Sequence, residues 1–283
     1  MRLFLLTALT MLAFAANSIL NRMALEDGTT GPAAFAAIRL VAGAFCLWAL
    51  VVLRGGGPRP IWQPWGAASL ALYVLGFSFA YVTLPAGVGA LILFGGVQIT
   101  MFAGALILRE VVPPRRWAGA ALAFGGLVWL LWPAGGVAPD PLGAILMAAA
   151  AFGWGVYSLL GRGATDPLRA TAGNFVFAAP LGLGLLAVLP DGVTLSGAGL
   201  AVISGAVTSG CGYALWYAVL PQLGSSRAAV AQLCVPVIAA LAGLMLLGEV
   251  ISLRFIMASA LVLGGVLLAA LPPQRCRISS SGS

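Results

Sequence analysis

Arg39 is a guanidinium inside an apolar run, with no acid in any neighbouring run to pair with it. Such a group must bond backbone carbonyls, side-chain amides or cavity water, or else meet a carboxylate that a ligand brings. Amides lie at similar depth: Asn17, one turn from Asn21, and Gln98 and Gln232. An amide offers donors and an acceptor together, which suits holding and releasing a zwitterion. It serves equally as a bond between helices, worth roughly 0.6–2 kcal/mol. Rings recur beside these groups, at Phe14, Tyr73, Phe77, Tyr81, Phe94, Trp154, Tyr157, Tyr213, Trp216 and Tyr217. A wall of them suits an aromatic or bulky apolar ligand, each ring contact adding roughly 0.5–1.5 kcal/mol. Rings near run ends have a plainer place at a membrane–water interface, which is the expectation for Trp48, Trp62, Trp65, Trp117, Trp129 and Trp132.

The rest of the reactive inventory is thin. Histidine is absent, and none of the seven acids falls in the middle of an apolar run. Proton-coupled transport usually places a carboxylate or imidazole there, so a proton carrier is not expected. HExxH, GxSxG, the Walker A loop and paired carboxylates within a run are all missing, and a serine or cysteine without a base is no nucleophile by default. Cys46, Cys211, Cys234 and Cys276 have no metal-ligand spacing. The expectation is no enzyme, no cofactor and no metal.

The elements that must position these residues follow from composition. With 61% hydrophobic and 7% charged residues and a mean hydropathy of +1.07, most side chains need lipid as their solvent. The arginines are scattered between apolar runs and form no basic face, which argues against nucleic acid. Gly, Pro and Arg cut the chain into ten lengths of about 20 residues, each enough for a bilayer core. They cover 3–24, 32–53, 65–83, 86–108, 115–132, 141–161, 168–189, 197–219, 226–247 and 251–271. The first has no small-residue cleavage site and reads as a retained helix. With the N-terminus cytoplasmic, eleven of the 14 arginines fall on inner segments, and Glu26, Asp27, Asp140, Asp191 and Glu249 fall on outer ones. Both termini are therefore expected in the cytoplasm.

The chain also repeats. Glu110 follows Ala105-Leu106-Ile107-Leu108 and precedes Gly125-Gly126; Glu249 follows Leu244-Met245-Leu246-Leu247 and precedes Gly264-Gly265. Both landmarks are displaced alike, since 249 − 110 and 264 − 125 are each 139. Ser18 and Arg22 recur as Ser158 and Arg162, Pro32 and Arg39 as Pro167 and Asn174, and the run Tyr81 to Pro85 as Tyr217 to Pro221. Residues 1–134 and 135–272 read as two five-helix repeats, with 273–283 a cytoplasmic tail, disordered or appended. Five is odd, so the second copy is inverted, the plan of transporters that alternate access around a central site. Pro85, Pro180, Pro221 and Pro236 are expected to interrupt or end helices, with Pro236 mid-helix as a hinge. Ala239 and Gly243 suit close helix packing.

These features resemble the EamA-type branch of the drug/metabolite transporter superfamily: ten helices in two halves, a glutamate after the fourth and ninth, a Gly-Gly helix end, Arg39, and Trp154-Gly155 with Tyr157-Ser158. The likeness covers residues 3–271, and within the superfamily it leans to the YddG-type exporters of aromatic amino acids. It implies a cavity lined by the first, third, fourth, sixth, eighth and ninth helices, with the fifth and tenth peripheral and often at a dimer contact. It implies a structural role for Arg39, since the family carries that arginine whatever its substrate. One departure is Leu108-Arg109-Glu110 where Leu-Gly-Glu is usual, as at Leu247-Gly248-Glu249, which would alter the cytoplasmic gate. The first helix also lacks the glutamate of the small cationic-drug antiporters.

The resulting expectation is an all-α integral membrane protein of a bacterial inner membrane, exporting aromatic or bulky apolar amino acids by alternating access, as a facilitator. Phe14, Asn17, Phe77, Tyr81, Phe94, Gln98, Trp154, Tyr157, Tyr213 and Gln232 are the expected substrate contacts. Arg39, Pro236, Glu110 and Glu249 are the expected structural or gating residues. Its partners are the substrate and the bilayer, as a monomer or a homodimer. Export of purines, nucleosides or drugs, and a channel-like pore, remain as alternatives.

Overall fold

The computed structural model describes every residue except 56, 58, 59, 134–137, 163 and 272–283, and describes 224–226 by backbone alone. The expected tail and the boundary between the two repeats lie outside the described residues. The elements are α1 (Arg2–Leu25), α2 (Pro32–Leu53), α3 (Pro64–Ala80), α4 (Ala86–Ile107), α5 (Pro114–Leu131), α6 (Pro141–Gly161) and α7 (Pro167–Val188). After them come α8 (Leu195–Ile203), a π-helical segment (Ser204–Cys211), α9 (Gly212–Gln232), α10 (Cys234–Leu247) and α11 (Leu253–Ala270).

Local chemistry sets these limits. Proline opens α2, α3, α5, α6 and α7, where its fixed φ suits the first turn and its missing N–H is no loss. Asp140, Asp166, Thr194 and Ser252 cap α6, α7, α8 and α11 by accepting from Gly143, Arg169, Gly197 and Phe255 N–H. Among the described residues, eight helical stretches are long and apolar enough to cross a membrane. Packed with them are α3, apolar but only 17 residues long, and α5, which carries Arg115 and Arg116 just after its opening proline.

One expected loop is absent. Residues 220–225 stay helical, so that α8, the π-helical segment and α9 form one helical run that passes through Pro221. The interruption falls at Leu233 instead. It sits one residue past Gln232, whose carbonyl would have received the N–H that Pro236 lacks. Pro236 is thus in the first turn of α10, beside the break, and not mid-helix.

Packing pairs α2 with α7 and α5 with α11. It sets α3 against α6, and α1 against the run from α8 to α9; α4 meets α6, and α1 meets α10. Close approach is bought by glycine at α3–α6, where a Cβ on Gly153 would lie 2.7 Å from Ser69 O and 2.8 Å from Tyr73 N. That contact brings the next residue, Trp154, onto Tyr73, with ring centroids 4.9 Å apart.

The two glutamate turns share a backbone. Gly248 has φ +66°, and Arg109, the residue before Glu110, has φ +55°. The left-handed conformation costs an L-residue roughly 1–2 kcal/mol, which glycine avoids. Arg109→Gly should therefore raise stability by about 1 kcal/mol, seen as a higher melting temperature of the purified protein. No change would mean that Arg109 recovers the cost through its own contacts.

Candidate functional site

Where α1, α3, α4, α6 and α9 meet, Phe14, Asn17, Tyr73, Phe77, Leu93, Phe94, Trp154 and Tyr213 enclose a small cavity. Its rings touch one another. Phe14 meets Tyr213 edge-on at 5.9 Å, and Trp154 meets Tyr213 at 5.0 Å. Little more than a water fits between them, so any larger ligand has to part the walls. Six of the ten expected substrate contacts line this space: Phe14, Asn17, Phe77, Phe94, Trp154 and Tyr213.

The π-helical segment supplies the polar frame. Ser204 and Thr208 donate their hydroxyls to Asn17 Oδ1, which leaves the NH2 side of that amide for the cavity. Ser209 accepts from Arg39 Nε at 3.2 Å, and Gly205 lies so close to the Arg39 carbonyl that no side chain could replace its hydrogen. Extra backbone per turn is what lets one segment present hydroxyls to both α1 and α2, and such bulges recur at functional sites. Arg39 is fully buried. Its Nη2 donates to Tyr73 Oη at 3.1 Å, and its guanidinium lies over the Phe77 and Tyr73 rings at 5.0 and 5.3 Å. Its Nη1 and the Tyr213 hydroxyl are buried with no hydrogen-bond partner in the protein.

The other expected contacts fall elsewhere. Tyr81 is spent on the α3–α4 turn, donating to Ala86 O at 3.2 Å and packing edge-on to Phe77. Tyr157 stacks on Trp154 but donates to Thr171 at 2.9 Å, beside a separate small cavity that includes Asn174 and Tyr217. Gln98 lines a cleft of about 840 Å3 at one end of the bundle, with Glu110, Arg116 and Arg162. Gln232 ends α9, half-buried and outside the aromatic cavity. Ser204, Thr208 and Ser209 were missed by the sequence reading, although a Gly/Ser/Thr run inside an apolar span was their visible signal.

The two ends of the bundle differ. At one, Glu249 folds over the start of α4, accepting twice from Ala86 N–H at 3.0 and 2.9 Å, and pairs with Arg22 at 3.4 Å. Arg22 also donates to the Tyr81 and Val82 carbonyls. At the same end Asp191 accepts from Ala33 and Ala34 N–H, Asp140 from Thr83, and Arg254 donates to the Trp129 and Trp132 carbonyls. At the other end Glu110 pairs with Arg162 at 3.3 Å, both about four-tenths exposed, at the rim of the large cleft. Burial pushes the Glu249 carboxyl up from its ordinary value, against the opposing pull of Ala86 N–H and Arg22.

Comparison with known proteins agrees with this architecture. The description of the EamA-like transporter family matches residues 141–271. A Pseudomonas aeruginosa protein, described only as uncharacterized, is 47% identical over 285 residues, spanning 100% of this chain and 99% of its own length. An uncharacterized transporter of Archaeoglobus fulgidus is 27% identical over 249 residues, 83% of this chain and 87% of that one. The uncharacterized inner membrane transporter YedA of Escherichia coli is 26% identical over 150 residues, 50% of this chain and 48% of that one. A crystal structure superimposes with a TM-score of 0.67 at 25% identity, over 94% of this chain and 98% of the other.

Proposed function

We propose that this chain, of which residues 141–271 match the EamA-like transporter family, exports aromatic or bulky apolar amino acids through the cavity between α1, α3, α4, α6 and α9. The observation that carries this reading is the cavity itself: six aromatic rings with one amide among them. Ring faces and edges give an aromatic side chain contacts that an aliphatic wall does not.

Alternating access between two inverted repeats, with both termini cytoplasmic, accounts for the two ends. Arg22 and Glu249 correspond in the repeat to Arg162 and Glu110, and each pair meets across the bundle. The packing corresponds as well, with α2 on α7, α5 on α11, and α3 on α6 where α1 meets the run from α8 to α9. In this state the Glu249 end is latched and the Glu110 end borders an open cleft, which the charge pattern assigns to the cytoplasm. Substrate enters from that cleft, the rings part around it, and the latches exchange.

The test is counterflow of labelled tryptophan and phenylalanine in proteoliposomes, with a purine as control. Saturable tryptophan or phenylalanine counterflow, indifferent to a pH gradient, is the expected result. Movement of the purine alone would replace the substrate class. Accumulation of tryptophan driven by a pH gradient would overturn the facilitator, because it requires a proton carrier.

A further inference from the structure

Every polar group that the aromatic cavity offers a ligand can donate, and none carries a negative charge. Tyr213 lines it with a buried hydroxyl that lies beside the Tyr73 hydroxyl and is otherwise without a partner in the protein. Tyr73, on the facing side, accepts from Arg39 and keeps its own O–H to give. Asn17 has its oxygen taken by Ser204 and Thr208, so its amide presents NH2. Behind Tyr73 and Phe77 stands Arg39, 0% exposed, with Nη1 unpartnered and no acid among its hydrogen-bond partners, Ser209 and Tyr73. A buried charge without a counter-charge is costly, and an anion arriving beside it is correspondingly favoured.

An ammonium finds hydroxyl oxygens to donate to but no counter-charge. The acids Glu26, Asp27, Glu110, Asp140, Asp166, Asp191 and Glu249 all lie outside the cavity lining. The faces of Tyr73 and Phe77, which could have served a cation, already carry the guanidinium. A second positive charge there would meet Arg39 across a poorly screened interior.

We infer that Tyr213, Tyr73 and Arg39 form an anion site, and that the cavity recognises arylalkyl carboxylates by the carboxylate and the ring, the α-amino group contributing nothing. This rests on the proposed transport function but reaches beyond it: amino acids become one member of a class that includes their deaminated analogues. The carboxylate sits against the Tyr213 and Tyr73 hydroxyls with Arg39 as counter-charge, and the aryl group lies among Phe14, Phe94 and Trp154.

Two measurements test it on the full-length protein. The first is competition against labelled tryptophan counterflow by indole-3-propionate, which lacks the ammonium, and by tryptamine, which lacks the carboxylate. Indole-3-propionate should compete about as well as unlabelled tryptophan, and tryptamine about tenfold worse or more, the usual worth of a charge-assisted hydrogen bond. The second is thermal stabilisation of the purified protein by the same compounds, which needs no transport. Indole-3-propionate should raise the melting temperature of the wild type and do so about tenfold less potently for Tyr213→Phe, which keeps the ring and loses only the hydroxyl. Arg39→Lys, which keeps the charge, should retain more of the effect than Arg39→Gln. Equal competition by tryptamine, or a Tyr213→Phe protein that binds carboxylates as the wild type does, would overturn the anion site and leave amino acid transport standing. Carboxylate stabilisation without any tryptophan counterflow would do the reverse. Neither signal would remove both.

Discussion

Replacing Glu249 by alanine will open the end of the bundle that it closes, by about thirtyfold in the open-to-closed ratio, from a loss of about 2 kcal/mol in hydrogen bonds to a charged acceptor. The carboxylate is the acceptor for the first N–H of α4, at 3.0 and 2.9 Å, and nothing else at that terminus replaces it. Gly243 makes room for it, since a Cβ there would collide with Glu249 Oε2. The corresponding change Glu110→Ala should shift the equilibrium far less, because the Glu110–Arg162 pair is 41% and 45% exposed and such surface pairs are worth about 0–1 kcal/mol. Spin labels at Val82 and Val250, both exposed at the Glu249 end, report the opening as a longer distance in a cysteine-free background. An unchanged distance distribution in Glu249→Ala would sink the latch.

Charge and hydrogen bonding can be separated at the same residue. The groups facing Glu249 are Arg22 on α1, Glu26 just after it, Tyr81 at the end of α3, and the Ala86 N–H. Burial raises the carboxyl above its ordinary 4.5, so the closed end holds a proton more firmly than an opened, hydrated end does. The contribution to closure is therefore fully present below about 4.5 and is lost as pH rises through the raised value. The long-distance population should grow with pH over that window in the wild type. Glu249→Gln still accepts from Ala86 and should stay closed and insensitive to pH, which sets it apart from Glu249→Ala.

What the sequence displayed and what it hid divide along a physical line. Polar and charged residues stand out against an apolar background, so the paired glutamates, their arginines and Asn17 could be read directly, and each has a defined partner in the fold. Exposure divides the tryptophans. Trp48, Trp62, Trp65, Trp117, Trp129 and Trp132 are all exposed, while Trp154 and Trp216 are 8% exposed. Sidedness was harder, because a helix that meets lipid on one face and protein on the other is apolar on both, and periodicity weakens. That is why the repeat, which matches Gln98 with Gln232, does not tell that Gln98 lines the large cleft while Gln232 ends α9. Pro221 misled because a proline inside a packed apolar helix can be accommodated by its neighbours. The π-helical segment left no periodic trace, and with it went the hydroxyls that orient Asn17 and Arg39.

The glycine pairs of the repeat should split into one position that tolerates substitution and one that does not. In both copies the first glycine, Gly125 or Gly264, has nothing within 4 Å of an added Cβ. The second is packed. A Cβ on Gly126 would lie 2.8 Å from Leu261 Cβ and 3.0 Å from Val262 N, and one on Gly265 would lie 2.5 Å from Gly119 O and 2.6 Å from Ala123 N. These are contacts between α5 and α11, largely with backbone, which cannot swing aside as a side chain can. Gly265→Val should therefore cost about 3 kcal/mol, at the upper end of overpacking, with Gly126→Val somewhat less because its contacts are longer and one is with the Val262 side chain. Gly125→Ala and Gly264→Ala should be neutral or stabilising by about 0.5–1 kcal/mol, the helix-interior penalty of glycine removed. Melting temperatures of the four variants check the ranking. Counterflow per folded molecule then shows whether the α5–α11 seam is only structural. The seam lies away from the aromatic cavity but borders the large cleft through Gly119, Ala123 and Val266, so Gly265→Val should lose folded protein, and a loss of rate among the survivors beyond that would make the seam part of the entry path or the moving mechanism.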